Sequence, residues 1–190
     1  FGGPASPRGV NRTGAFPQVR LVGLLETGTH VLCGVQLGAY HTGEVTLAAD
    51  VLPHLSGTML CLADRAFLSF DLWKQAARTG AALVWRAKSS MRLPVRQRFA
   101  DGSYRSELRW NAQCRSRDRT PIPVRVVAYT LPGVPDAEAT YRVVTTILEP
   151  DRAPAAELAA LYHERWEMET AFDEFKTHLR GAQRVLRSKT

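Results

Sequence analysis

Polar and apolar positions change their rhythm along the chain, and each rhythm predicts a different kind of element. Residues 18–26 (QVRLVGLLE) and 30–40 (HVLCGVQLGAY) flank Thr27-Gly28-Thr29, which predicts a β-hairpin. Residues 42–55 place Val45, Leu47, Ala48, Val51, Leu52 and Leu55 at helical spacing, with Thr42 as the cap and Gly57 beyond the end. Residues 58–63 (TMLCLA) form a short continuous apolar run, the pattern of a strand buried on both faces, and it delivers Asp64 at its C-terminal end. A helix over 67–79, stopped by Gly80, leads to a second buried strand at 81–87 (AALVWRA). Strand, helix, strand over this length predicts a parallel crossover unit and hence an α/β sheet.

From residue 88 the texture becomes β-like. Short runs at 91–99, 104–110, 122–131 and 141–148 are separated by turn chemistry at Asp101-Gly102, 117–121 and 131–136. This reads as a β-rich insertion of about four strands. A linker, 149–154 (EPDRAP), ends in a helix-start proline. The last strong pattern is a helix over 161–179, in which Leu158, Leu161, Met168, Phe172, Phe175 and Leu179 repeat at three- and four-residue steps. Residues 1–17, rich in Gly, Pro and Arg, read as an irregular lead-in. The expected organisation is therefore 1–87 as the first part of the core, 88–149 as the insertion and 150–190 as a C-terminal helix returning to the core.

Composition sharpens this picture where it is uneven. The net charge of +7 divides as +1 over residues 1–85, +8 over 86–125 and −2 over 126–190. A cationic middle segment dominated by arginine is the footprint of phosphate-backbone binding. An apolar share of 45% marks a globular chain. No apolar run approaches the ~18 residues of a membrane span, so no membrane partner is expected. Cys33, Cys61 and Cys114 have no metal-ligand spacing and are expected as reduced thiols in a cytoplasmic protein. The histidines, His163 and His178 among them, form no metal signature either.

Beside the apolar stripe of the last helix runs a polar row: Tyr162, Arg165, Glu169 and Lys176. At 100° per residue the four fall within an arc of about 60°. A carboxylate between cations and a phenol, at the rim of an apolar face, suits metal-dependent phosphate chemistry; a solvated face with spaced charges is the alternative. The row spells Y-x2-R-x3-E-x6-K, which resembles the signature of DDE transposases of the insertion-sequence-four family. Upstream, Leu62-Ala63-Asp64-Arg65 followed by Ala66-Phe67 resembles the second-Asp motif of the same family. The strings Gly14-Ala15-Phe16-Pro17-Gln18 and Asp101-Gly102-Ser103-Tyr104 also look like family sequence.

That resemblance implies a ribonuclease-H-like mixed sheet with flanking helices. It also implies cut-and-paste cleavage and strand transfer at transposon ends, with two Mg²⁺ ions (Mn²⁺ as a substitute) held by two Asp and one Glu. Asp64 and Glu169 would be the second and third catalytic metal ligands. Tyr162, Arg165 and Lys176 would hold double-stranded DNA through its phosphates. A homodimer on paired ends, acting in the cytoplasm at the nucleoid, is implied as well. Arg65 is assigned either to DNA or to a neighbouring acid. Tyr104 and Trp110 are assigned either to stacking on an extruded base or to packing.

The family also needs a first Asp on an opening strand. Asp50 lies inside a predicted helix, so the first ligand and its strand are expected outside this chain, and the chain by itself is expected to be inactive. That strand would lie between the hairpin and the strand ending at Asp64, leaving two strand edges without ladder partners. Two alternatives remain open: a non-catalytic DNA-binding remnant, and a ribonuclease-H-like nuclease unconnected with transposition.

Overall fold

A computed structural model describes residues 19–112, 114–130 and 138–165. Most of the expected helix over 161–179, with Glu169, Lys176 and His178, lies outside the described residues.

The centre of the fold is the parallel pair predicted from the two apolar runs. Strands β3 (Leu60–Ala63) and β4 (Ala82–Arg86) lie side by side with Cys61 opposite Leu83 and Ala63 opposite Trp85. They are joined by helix α2 (Phe70–Ala77), which Ser69 caps by accepting the Leu72 amide at 3.3 Å, and Gly80 turns the chain with φ of 83°. β4 then pairs antiparallel with β8 (Tyr141–Thr145), and β8 pairs with β7 (Ile122–Tyr129). Next come β6 (Tyr104–Leu108) and the two-residue β5 (Gln97–Arg98). The result is one six-stranded mixed sheet in the order β3-β4-β8-β7-β6-β5.

Period-two alternation then sorts side chains to two faces. Leu83, Trp85, Val124, Val126 and Val144 face α2, where Trp73 meets Trp85 edge to face at 5.3 Å. Val84, Val127 and Val143 face helix α3 (Ala155–Glu164) and its residues Ala155, Leu158 and Tyr162.

The predicted hairpin forms a separate two-stranded sheet, β1 (Val19–Leu25) with β2 (Leu32–Ala39). Helix α1 (Glu44–Val51) and a 3₁₀ turn (Leu52–His54) pack on it. That approach is close enough that a larger residue would force its neighbours to shift: a Cβ on Gly38 would stand 2.8 Å from Leu47, and one on Gly34 2.5 Å from His54.

Three local expectations shift. Thr42 is not the cap of α1; Gly43 holds that place and makes no side-chain bond. The β5 strand shrinks to two residues, because Pro94 has no amide to give a ladder. The preceding loop is held instead by Arg142, whose Nη2 donates to the carbonyls of Lys88, Ser89 and Met91 at 2.7, 2.8 and 3.1 Å. The strand expected over 141–148 ends at Thr145, where the chain turns toward a 3₁₀ turn at Pro150–Arg152.

Candidate functional site

In a parallel pair the residues following the two strands emerge at the same end of the sheet. Asp64 follows β3, and Arg86 closes β4 beside it, with one guanidinium nitrogen 4.0 Å from Asp64 Oδ1. Asp64 Oδ1 also accepts the Arg65 amide at 2.7 Å. A second carboxylate, Glu138, draws both arginines: Arg86 Nη2 at 2.8 Å and Arg65 Nη1 at 2.7 Å reach its Oε1. Arg65 therefore pairs with an acid in this structure, which was one of its two assigned roles. The Arg86 guanidinium lies 4.6 Å from the centre of the Tyr141 ring, and Tyr141 stacks on Tyr129 at 5.5 Å. Burial pushes the Tyr129 phenol up to about 12.

Helix α3 enters from the other face. Tyr162 is 3% exposed and its hydroxyl donates to the Ala63 carbonyl at 3.2 Å, the last peptide before Asp64. Burial raises the Tyr162 phenol well above its ordinary value; Arg165 and Arg86 oppose that rise, and Asp64 adds to it. Arg165 stands one turn further on, its guanidinium 5.6 Å from the Tyr162 ring centre. The structure thus brings Asp64, Tyr162 and Arg165 to one end of β3. Glu169 and Lys176 lie outside the described residues.

Asp64 suits a hard divalent cation. Its side chain is part exposed at a strand end, and among the described residues only Oδ1 accepts a hydrogen bond. No cluster of three metal-type side chains occurs among the described residues, so Asp64 would need further ligands from elsewhere.

Next to Asp64 the fold is open. Among the described residues β3 pairs only with β4, and β1 pairs only with β2. Between their outer edges lies a trough of about 700 Å³, lined by consecutive residues 21–27 and 59–64. Ala48, Val51 and Leu55 contribute from the α1 side, and Leu161 and Arg165 from α3. A second cleft, of about 1,120 Å³, begins two residues past Asp64. It is lined by Ala66 and Ser69 on one side and by Lys88, Arg92, Arg96, Arg109 and Trp110 on the other. Trp110 is 39% exposed, whereas Tyr104 is partly covered and packs against the core beneath α2.

The cationic segment 86–125 is divided in its commitments. Arg86, Arg96, Arg105, Arg109 and Arg125 are ion-paired with acids. Lys88, Arg92, Arg98, Arg115, Arg117 and Arg119 are exposed and make no ion pair among the described residues.

Sequence reasoning missed Arg86 and Glu138. Arg86 did carry a signal, being the one charge in a buried apolar run at the position matching Asp64 in the parallel partner. Glu138 carried none, since it reaches the site from just before β8, 74 residues downstream of Asp64.

A mixed sheet with a carboxylate at the open end of a buried parallel strand defines an α/β domain with its polar site at the carboxyl ends of the strands. The chain belongs to the DDE transposase family: residues 3–189 match the transposase DDE domain. It is 24% identical over 180 residues to the transposase InsG for insertion sequence element IS4 of Escherichia coli (strain K12), covering 92% of this chain and 39% of that protein. It is also 31% identical over 74 residues to the putative transposase InsZ of the same organism, covering 39% of this chain and 25% of that one. The chain therefore spans well under half the length of these curated relatives.

Proposed function

We propose that this chain is the larger part of the catalytic domain of a cut-and-paste DDE transposase, with a ribonuclease-H-like core over 1–87 and 150–190 and an inserted β region over 88–149. The observation that carries the reading is the trough between β1 and β3, with Asp64 at its end. Two strand edges facing an apolar gap call for an extended segment of about six residues, ~20 Å long, apolar on both faces because α1 and α3 cover it. We assign that segment, and the first catalytic Asp at its end, to a part of the protein outside these 190 residues. Without that third carboxylate the chain alone neither cuts nor joins DNA.

In the complete protein Asp64 and Glu169 would hold the divalent cations, Mg²⁺ or Mn²⁺. Bound there, the ions would activate a water or 3′-hydroxyl and neutralise charge on the phosphodiester. Arg165 and Lys176 take phosphate oxygens of the transposon end. Tyr162 serves the same DNA-holding row by fixing α3 on the end of β3. Exposed cations of the 86–125 segment carry the duplex away from the site. The protein acts as a homodimer on paired ends, in the cytoplasm at the nucleoid.

The test uses the full-length protein, Mg²⁺ and a duplex carrying the element's end. Asp64→Asn is expected to lower cleavage about 10³-fold, ~4 kcal/mol of transition-state stabilisation, with end binding retained. Cleavage by Asp64→Asn at the wild-type rate overturns the assignment. Wild-type protein that binds ends without cutting them identifies a DNA-binding remnant, and cleavage indifferent to Arg165→Ala identifies a nuclease unconnected with transposition.

A further inference from the structure

Helix α3 has no side-chain cap of its own. Pro154 occupies its N-cap position, and Ala155 is its first residue. The acceptor arrives from a remote turn: Asp101 Oδ2 takes the Ala155 amide at 3.0 Å. The same oxygen receives Arg125 Nη2 at 2.6 Å. Arg125, in the middle of β7, is 0% exposed and fully employed, since Nε donates to Ser103 Oγ at 2.8 Å and Nη1 to the Ala153 carbonyl at 2.7 Å. Asp101 Oδ1 closes its own turn by accepting the Ser103 amide at 3.0 Å and hydroxyl at 2.5 Å, with Gly102 at φ 83°. The Asp101-Gly102-Ser103 string is thus a rigid bracket, and one buried guanidinium ties it to both the last peptide before α3 and the strand beneath.

Burying the Arg125 guanidinium makes this pair weak evidence for stability, because desolvation offsets most of its attraction. What this one supplies is placement. It fixes the N-terminus of α3, two turns before Tyr162 meets Ala63 beside Asp64. Each residue of a helix adds 1.5 Å and 100°, so an error at Ala155 is carried whole to Tyr162 and Arg165. We propose that Asp101 and Arg125 are positioning residues that set the seat of α3, and with it the placement of Tyr162 and Arg165 against Asp64. The consequence for cleavage rests on the transposase reading; the placement itself does not.

Two variants of the full-length protein test this. Ala155→Pro deletes only the amide that Asp101 accepts; proline suits the first turn of a helix, and Pro154, with ψ of 147°, already holds the extended conformation preferred before proline. Asp101→Asn keeps an acceptor for that amide but removes the charge facing Arg125. The expected result for both is amide hydrogen exchange about fivefold faster over 158–162, the worth of one capping bond. Turnover on end duplex should fall about tenfold, affinity for that duplex should fall no more than a few-fold, and the loss should not track the melting temperature. Exchange over 158–162 at the wild-type rate in both variants overturns the proposal. Turnover falling in step with melting temperature across the two also overturns it, leaving the pair a purely structural one. If the wild-type protein does not cleave, the transposase reading fails and the exchange measurement still decides the placement.

Discussion

The two halves of this molecule treat their strand edges in opposite ways. On the side of β7 and β8, both strands have neighbours on each edge, and Val124, Val126, Val127, Val143 and Val144 are at most 2% exposed. On the side of β1 and β3, each strand has one edge unpaired among the described residues, and Val19, Val35, Leu37 and Leu60 are between 38% and 66% exposed. Exposed apolar edges are a hazard that proteins normally cover. The closed half spends its one buried charge, Arg125, on internal bonds, whereas the open half leaves Asp64 part exposed at the gap. On the proposed reading the two halves divide the work: the closed half is the scaffold, and Asp64 stands beside the gap.

The strongest way to break the contrast is to open the closed half from inside. Arg125→Met leaves Asp101 and the Ala153 carbonyl without their partner and is expected to cost about 3 kcal/mol, read from urea unfolding at neutral pH. Acid sharpens the same point. Burial raises the Asp101 carboxyl, but the Ser103 and Ala155 hydrogen bonds and the Arg125 charge outweigh it and hold it below the usual carboxylate range. Since its folded value lies below the unfolded one of about 3.9, its contribution is whole above that pH and is lost as pH falls through the lowered folded value. Arg125→Met should flatten this acid limb of stability.

A paired substitution gives the next largest effect. Val126→Ala, in the closed half, should cost about 2 kcal/mol through a cavity that cannot collapse. Leu24→Ala, on the free-edged β1, should cost under about 1 kcal/mol in this chain, because Leu24 is already half-buried. In the full-length protein the Leu24→Ala cost should rise toward that of a core residue. Equal costs for Leu24→Ala in the two contexts would show that nothing enters the trough.

How much of this was legible follows from which forces write themselves into local sequence. Two continuous apolar runs flanking a helical stretch predicted the parallel pair β3–β4 and the helix between them, because burial on both faces leaves a run with no alternation. The hairpin and the later strands were legible from period two and turn residues, except for the Met91 region, where Pro94 and the Arg142 anchors replace a ladder. Asp64 was legible by its place after a strand, and the structure sets Tyr162 and Arg165 beside it. Glu138 and the Asp101–Arg125 bracket were not, although the string holding Asp101 had been singled out. Asp101 and Arg125 lie 24 residues apart and Glu138 and Arg65 lie 73 apart, and a contact closed through space leaves no period along the chain.

The smallest effect concerns the cations rather than the core. Arg96 and Arg109 share Glu107, so each brings a charge that is already largely balanced. Arg92, across the same cleft, is exposed and has no ion pair among the described residues. A phosphate lying in the cleft would exchange its counterion, released to solvent, for Arg92 without first breaking a protein contact, whereas at Arg96 it would compete with a carboxylate. Arg92→Ala should therefore reduce the slope of log affinity against log salt by about 0.9 and weaken duplex binding a few-fold at moderate salt. Arg96→Ala should change the slope by less than half as much. Affinities measured across a range of salt separate the two, and the reverse order would mean that the Glu107 pair opens when DNA binds and that the cleft is reorganised by its ligand.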